Sequence, residues 1–339
     1  NYRLLLRSRA VRAALADYRP DLIECQDAYN LPWAALAHAR DFPGTATVAG
    51  YFTDFPTVYV ERPVRRFLGR TAARWARDRC YRYCGHLYRR FDAVFALSEH
   101  GGARKLRAAG VDPVAIVPLG VELGEFGPHR RDEQLRRSLG VRPGDPLLIY
   151  AGRLDSEKRP QTVVDAFLRL PDSFGASLVV LGDGPLREEL MKRAAGRRVH
   201  FPGYVSDRED LARWLASADI YVSGMADETF GVSIIEAQAS GLPVVGINEG
   251  AMVDRVPPVL GRIGPIQDSA AMAANIQAVW ALDRPAIAEA AREAASAFSW
   301  DRSMATLFGQ VYQRARTTAR RTAVSIDGAK PRAEAASTL

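Results

Sequence analysis

Short runs rich in Val, Ile, Leu and Ala alternate with helical stretches along almost the whole chain, and this alternation leaves few folds open. Repeated strand–helix–strand units build open parallel sheets, and such sheets bind ligands beyond the carboxyl ends of their strands. In the first part, residues 21–25, 45–51, 93–97 and 115–117 read as strands, with helical stretches at 31–40, 66–89 and 102–109 behind an amphipathic basic segment at 1–18. Residues 140–146, dense in glycine and proline, read as the linker. The alternation then restarts, with strands at 147–151, 177–181, 199–201, 220–223 and 244–247. Helices are expected at 160–170, 186–195, 207–216, 232–240, 269–282, 285–298 and 301–316. The polar, patternless end from about residue 319 reads as a disordered tail.

A length of 339 residues favours two domains, and 47% hydrophobic with 25% charged residues is the balance of a chain with a large core. No apolar run approaches the roughly 18 residues that span a bilayer. Three cysteines make no complete disulfide framework and point to a reducing, cytoplasmic compartment. Cys80 and Cys84, a helical turn apart with His86 nearby, lack the further ligands a zinc site needs and read as ordinary buried thiols. The formal charge of +7 is unevenly spread: residues 1–145 hold 24 basic against 16 acidic side chains, and the remainder 22 against 23. Between Arg62 and Arg90, ends included, lie ten arginines and one acid, Asp78. That stretch suits an anionic partner such as a membrane surface, or is a solvated helix face.

Four features follow expected strands of the second half. Gly152-Arg153-Leu154-Asp155-Ser156-Glu157-Lys158 places two cations where they can converge on one anion. Gly182-Asp183-Gly184-Pro185 makes a tight strand-to-helix turn. Phe201-Pro202-Gly203-Tyr204-Val205 offers open backbone groups to a flat base. Taken alone, each reads first as something ordinary: a solvent-facing Arg/Lys pair, a plain strand-to-helix turn, and core packing. The fourth is more specific: Asp227-Glu228-Thr229-Phe230-Gly231-Val232-Ser233-Ile234-Ile235-Glu236, running into Ser240-Gly241-Leu242-Pro243. A helix opening near Gly231 presents amides that suit a phosphate, and the flanking carboxylates of Glu228 and Glu236 can hold sugar hydroxyls. Their spacing, up to about 12 Å, suits a ribose at one end and a hexose at the other.

With these motifs in this order, the chain resembles the retaining glycosyltransferases of family 4, over about residues 19–314. The resemblance implies an α/β, GT-B fold: two Rossmann-like, doubly wound domains facing a cleft. It implies an acceptor-side domain at 1–141, a donor-binding domain at 146–300, a helix at 301–318 packing back on the first domain, and the tail at 319–339. The family normally opens with a further strand and a Gly-rich loop. The first domain is therefore expected to be incomplete, with an exposed sheet edge, and the fragment inactive alone. By similarity Arg153 and Lys158 bind the donor pyrophosphate, beside Gly152, Gly182 and Asp183. Glu236 binds ribose, and Glu228 with the Phe230, Gly231 and Val232 backbone holds the donor sugar and distal phosphate. Tyr204 and Val205 meet the base.

Relatives carry a His-Thr-x-x-Pro-type segment over the donor sugar. Here Phe52 stands at the histidine position, so Thr53 or Asp54 is expected to take that contact, or Asp54 simply caps the following turn. The implied reaction moves a hexose, with mannose from GDP-mannose preferred, from a nucleotide diphosphate sugar to a lipid or saccharide acceptor with retention of configuration. No Asp-x-Asp occurs in the chain, so the expected reaction needs no metal and no cofactor, with Glu228, Arg153, Lys158 and Asp54 as its catalytic set. Nucleic acid is not an expected partner. The expected location is the cytoplasm, at the inner face of a membrane as a peripheral component if the arginine-rich stretch meets an anionic surface and is not a solvated helix face. The competing readings are another GT-B enzyme, such as a nucleotide-sugar epimerase or a phosphorylase, and a non-catalytic module for anionic lipid or RNA.

Overall fold

Among the described residues, ten strands form two sheets in which every pairing is parallel. The computed structural model describes residues 7–329, and the chain divides into two units. The first comprises the chain up to Leu97, Ala103–Val117 and the stretch from Met304 onward. Its sheet runs β1 (Leu22–Cys25), β2 (Ala46–Tyr51), β3 (Ala93–Ala96) and β4 (Val114–Ile116) in sequential order. Every residue of β2 and β3 is buried, as expected of strands covered on both faces. Against them pack Cys84, Leu87 and Tyr88 from the far end of the helix Arg62–Tyr88. That helix is broken at Gly69 (φ 80, ψ 179), a conformation that suits only glycine.

The second unit holds Ser98–Gly102 and Pro118–Ser303. Its strands are β5 (Leu147–Ala151), β6 (Ser177–Leu181), β7 (Val199–Gly203), β8 (Ile220–Val222), β9 (Val244–Ile247) and β10 (Gly261–Gly264). They lie in the order β10-β9-β8-β5-β6-β7, the doubly wound Rossmann pattern, with the strand order reversing between β5 and β8.

Three expectations are corrected. Residues 118–141, read as part of the first domain, belong to the second unit. Buried Arg136 bonds Asp219 Oδ2 (2.9 Å) and the Ser217 carbonyl (2.8 Å), and the Asp132 amide donates to Ser217 Oγ (3.0 Å). The Gly- and Pro-rich stretch 140–146 is therefore a loop within this unit, joining the helix Glu133–Ser138 to β5, and not the linker. The tail expected from residue 319 is helical as far as Ala329, in the helix Gln313–Ala329, while 330–339 lie outside the described residues. Ala315 and Ala319 are buried along it, so small residues that carry no obvious apolar stripe still make a packed face. The expected segment at 1–18 is helical over Ser8–Tyr18, its first six residues lying outside those described.

Candidate functional site

A cavity of about 360 Å³ opens where β5 and β8 diverge, lined by Tyr150 to Arg153, Lys158, Tyr221, Glu228, Ser233 and Glu236 among others. This is the switch point of the sheet, where an open α/β unit binds its ligand. The loop leaving β5 is shaped by Asp155, whose Oδ1 accepts the amides of Glu157 and Lys158, both at 3.0 Å. That turn sends Lys158 inward, where its Nζ lies 3.2 Å from Glu228 Oε2. Arg153 sits at the mouth with 63% of its side chain exposed, paired with Asp155 and with Glu157 (3.1 Å). The Tyr150 hydroxyl donates to the Arg153 carbonyl (2.9 Å) and fixes the loop's first turn.

The opposite wall is the start of the helix Val232–Ala239. Gly231 caps it in the left-handed region (φ 90, ψ 55), and a Cβ there would meet Ile234 Cδ1 at 2.7 Å. The Val232 and Ser233 amides, at the first turn, have no carbonyl a turn earlier within the helix and belong to residues that line the cavity. Phe230 turns its side chain away from the cavity into the core, 5.8 Å from Phe298. The Arg255 guanidinium packs on both rings (4.8 and 4.4 Å) and donates to the Phe230 carbonyl (3.2 Å). Burial pulls that guanidinium down to about 10. Glu236, one turn into the helix, is buried, and its Oε1 accepts from Arg208 at 3.0 Å. Burial raises the Glu236 carboxyl above its usual range, and Arg208 opposes that rise. Arg208 is itself held over the Phe126 ring (5.0 Å).

The structure thus brings Gly152, Arg153, Lys158, Glu228, Val232 and Glu236 to one cavity. Gly182, Asp183, Tyr204 and Val205 lie on the neighbouring loops and do not line it. Those loops are joined to its floor by main-chain bonds: Gly152 to Leu181 (3.1 Å), Gly182 to Gly203 (2.8 Å) and Leu154 to Asp183 (2.9 Å). Tyr204 projects with 76% exposure. Sequence reasoning missed Arg208, Arg255, Tyr150 and Asp155. Only the last had a signal, the Asp two residues before an amide that marks an Asx turn.

Asp54 belongs to the first unit and departs from its expected role. It is buried, and Lys105 Nζ (2.7 Å), the Tyr51 hydroxyl (2.8 Å) and the Tyr81 hydroxyl (2.8 Å) all donate to its carboxylate. It is neither a cap for the following turn nor an exposed sugar ligand, but the counter-ion of Lys105. Thr53 beside it is exposed. Burial would raise the Asp54 carboxyl, yet Lys105 and the two tyrosines hold it below the usual range. A carboxyl depressed in the folded state adds stability above its unfolded value, near 3.9, and loses it as pH falls through the folded one. Asp54→Ala leaves Lys105 uncompensated and is expected to cost about 3–5 kcal/mol of stability in urea unfolding at neutral pH. Unchanged stability with weakened donor binding would instead return Asp54 to the substrate.

Cys25 and Cys84 are buried and their thiols are pushed up to about 12, chiefly by burial, so neither is a reactive nucleophile at neutral pH.

A family model described as Glycosyltransferase Family 4 matches residues 1–125, and one described as Glycosyl transferases group 1 matches residues 145–281. The GDP-mannose-dependent alpha-(1-6)-phosphatidylinositol dimannoside mannosyltransferase of Mycobacterium tuberculosis is 31% identical over 301 residues, covering 88% of this chain and 75% of that protein. A GDP-mannose-dependent alpha-mannosyltransferase of the same species is 33% identical over 245 residues, 72% of this chain and 60% of that one. Among solved structures, sucrose-phosphate synthase from Thermosynechococcus elongatus superposes with a TM-score of 0.71 at 25% identity, covering 91% of this chain and 76% of that one. Anabaena HepE, solved in complex with UDP-glucose, shares the fold at a TM-score of 0.61 and 20% identity, covering 95% and 82%.

Proposed function

The chain belongs to glycosyltransferase family 4 and has its GT-B fold, and on that premise we propose that it transfers mannose from GDP-mannose to a lipid or saccharide acceptor, with retention and without a metal ion. The observation that carries the reading is the pairing of Lys158 with Glu228 at the opening of the helix Val232–Ala239, within one cavity that also holds Arg153 and Glu236. Breaking the bond from the sugar's anomeric carbon to phosphate builds negative charge on the departing diphosphate. Lys158, Arg153 and the Val232 and Ser233 amides would meet that charge directly, which supports a reaction without a metal. Glu228 would hold sugar hydroxyls and is not assigned as a covalent nucleophile, since retention in this family is ascribed to substitution on the same face. The named activities of the mycobacterial relatives support GDP-mannose as donor, and the phosphatidylinositol dimannoside in one of their names supports a lipid acceptor. A lipid acceptor would bring the enzyme to the inner face of a membrane as a peripheral protein.

Thermal shift with GDP-, UDP- and ADP-sugars tests the donor: GDP-mannose is expected to give the largest rise in melting temperature. A larger rise with UDP- or ADP-sugars rejects the guanine assignment. Proton NMR of the product tests retention, for which an α-linkage from the α-donor is required, and full turnover in EDTA tests metal independence.

Arg208 offers a separate test of the ribose assignment. An ionised Glu236 accepts ribose hydroxyls, so GDP affinity should fall as pH drops through its raised value. Arg208→Met removes the opposing cation, and the carboxyl rises further. GDP binding by calorimetry should then fail at a higher pH than in the parent protein, with about tenfold weaker affinity at neutral pH. Identical pH profiles for the two proteins would detach Arg208 and Glu236 from the nucleotide.

A further inference from the structure

We propose that the helix Arg62–Tyr88 docks the protein on an anionic lipid bilayer, with Phe67 and Leu68 entering the interface and the flanking arginines binding lipid phosphates. Phe67 is 78% exposed and Leu68 71%, adjacent in sequence and directly before the break at Gly69. A Cβ added at Gly69 would meet nothing within 4 Å, so the break stands clear of the fold. Trp75, 67% exposed, lies two turns further on. Three large apolar side chains left in water within nine residues mark an interaction surface rather than a core edge.

The charge around them selects the partner. No acid occurs from Arg62 to Arg77, and among the described residues Arg65, Arg66, Arg70, Arg74, Arg79 and Arg82 form no salt bridge. Arginines of the second unit, such as Arg136, Arg193 and Arg213, are instead paired with carboxylates. The Arg66 guanidinium lies 5.8 Å from the Phe67 ring, so cation and wedge form one patch. Clustered cations around an exposed aromatic and aliphatic pair suit lipid head groups above acyl chains. A single-stranded nucleic acid would use the arginines and the rings, but has no use for Leu68, which offers no π-face. The inference rests on the membrane-peripheral reading of the proposed function and not on the donor assignment, since none of these residues lines the cavity of the second unit.

The test is flotation of the full chain with vesicles of phosphatidylcholine alone or with about one third phosphatidylglycerol. Binding is expected only to the anionic vesicles, and should be lost on raising salt from about 0.1 to about 0.5 M. Each arginine near the surface is worth about fivefold in partition, so Arg66→Glu, Arg70→Glu and Arg74→Glu together should lower binding at least about a hundredfold. Phe67→Ser with Leu68→Ser should lower it about tenfold and leave a residue that salt removes. These positions are exposed, and circular dichroism melts should match the parent. Equal binding to neutral vesicles, no effect of either variant, or tighter binding to polyuridine than to anionic vesicles would each overturn the proposal. Whatever the variants do, binding of the unaltered protein that survives about 0.5 M salt also overturns it.

Discussion

Lys158→Ala is expected to lower kcat for sugar transfer by two to three orders of magnitude, with a much smaller change in KM for the donor. The ammonium sits inside the cavity, 3.2 Å from Glu228 Oε2, and can pass from that carboxylate to a phosphate oxygen. Its attraction grows as charge collects on the departing diphosphate, so its removal acts on the transition state more than on the bound donor. Donors of this kind are worth about 2.7–4 kcal/mol when deleted from a water-excluded site. Arg153 should behave differently. Its exposed guanidinium is already shared between Asp155 and Glu157, and solvent screens what it offers, so Arg153→Ala should raise KM and cost kcat about tenfold. Steady-state GDP release by the complete enzyme reads both. A Lys158→Ala enzyme within threefold of the parent kcat would remove the lysine from the chemistry.

Gly182→Ala should be among the most damaging substitutions that leave charge untouched. Gly182 has φ +126, where L side chains are strained, and a Cβ would fall 1.9 Å from the Gly152 carbonyl oxygen. Relief requires parting the loops after β5 and β6, which breaks the bond from the Gly152 amide to the Leu181 carbonyl (3.1 Å). Backbone strain plus that lost bond amounts to about 3–5 kcal/mol. Urea unfolding of the second unit, followed by tryptophan fluorescence, should show the midpoint moving down accordingly, and donor binding should weaken with it. A midpoint unchanged within error would mean the loops part without cost.

The strands were legible because their residues are buried on both faces and therefore carry nearly unbroken apolar runs. Residues 147–151, 177–181 and 244–247 were bounded to the residue. The edge strand β10, Gly261-Arg262-Ile263-Gly264, was missed because two of its four residues have no side chain to signal anything. Glu228 and Glu236 were legible as a spacing on either side of a helix start. Arg208 was not, since a charged residue in a first turn looks the same whether it faces solvent or a buried carboxylate 28 positions away. Asp54 was misread for the same reason in reverse. Its partners Tyr81 and Lys105 are 27 and 51 residues distant, and nothing local distinguishes a buried counter-ion from an exposed ligand. Residues 140–146 misled because glycine and proline mark a turn, and whether a turn separates domains depends on what its flanks pack against.

The loops after β5, β6 and β7 are fastened to one another through main-chain amides and carbonyls, from Gly152 to Leu181, Leu154 to Asp183 and Gly182 to Gly203. Tyr204, 76% exposed, therefore rides on a scaffold whose shape does not depend on its identity, whereas the Asp183 carboxylate also holds the Gly184 amide (2.7 Å). Exchanging Tyr204 should retune which nucleotide is admitted without disturbing the ground it stands on, so altering the admitted base at this position calls for little compensating repair.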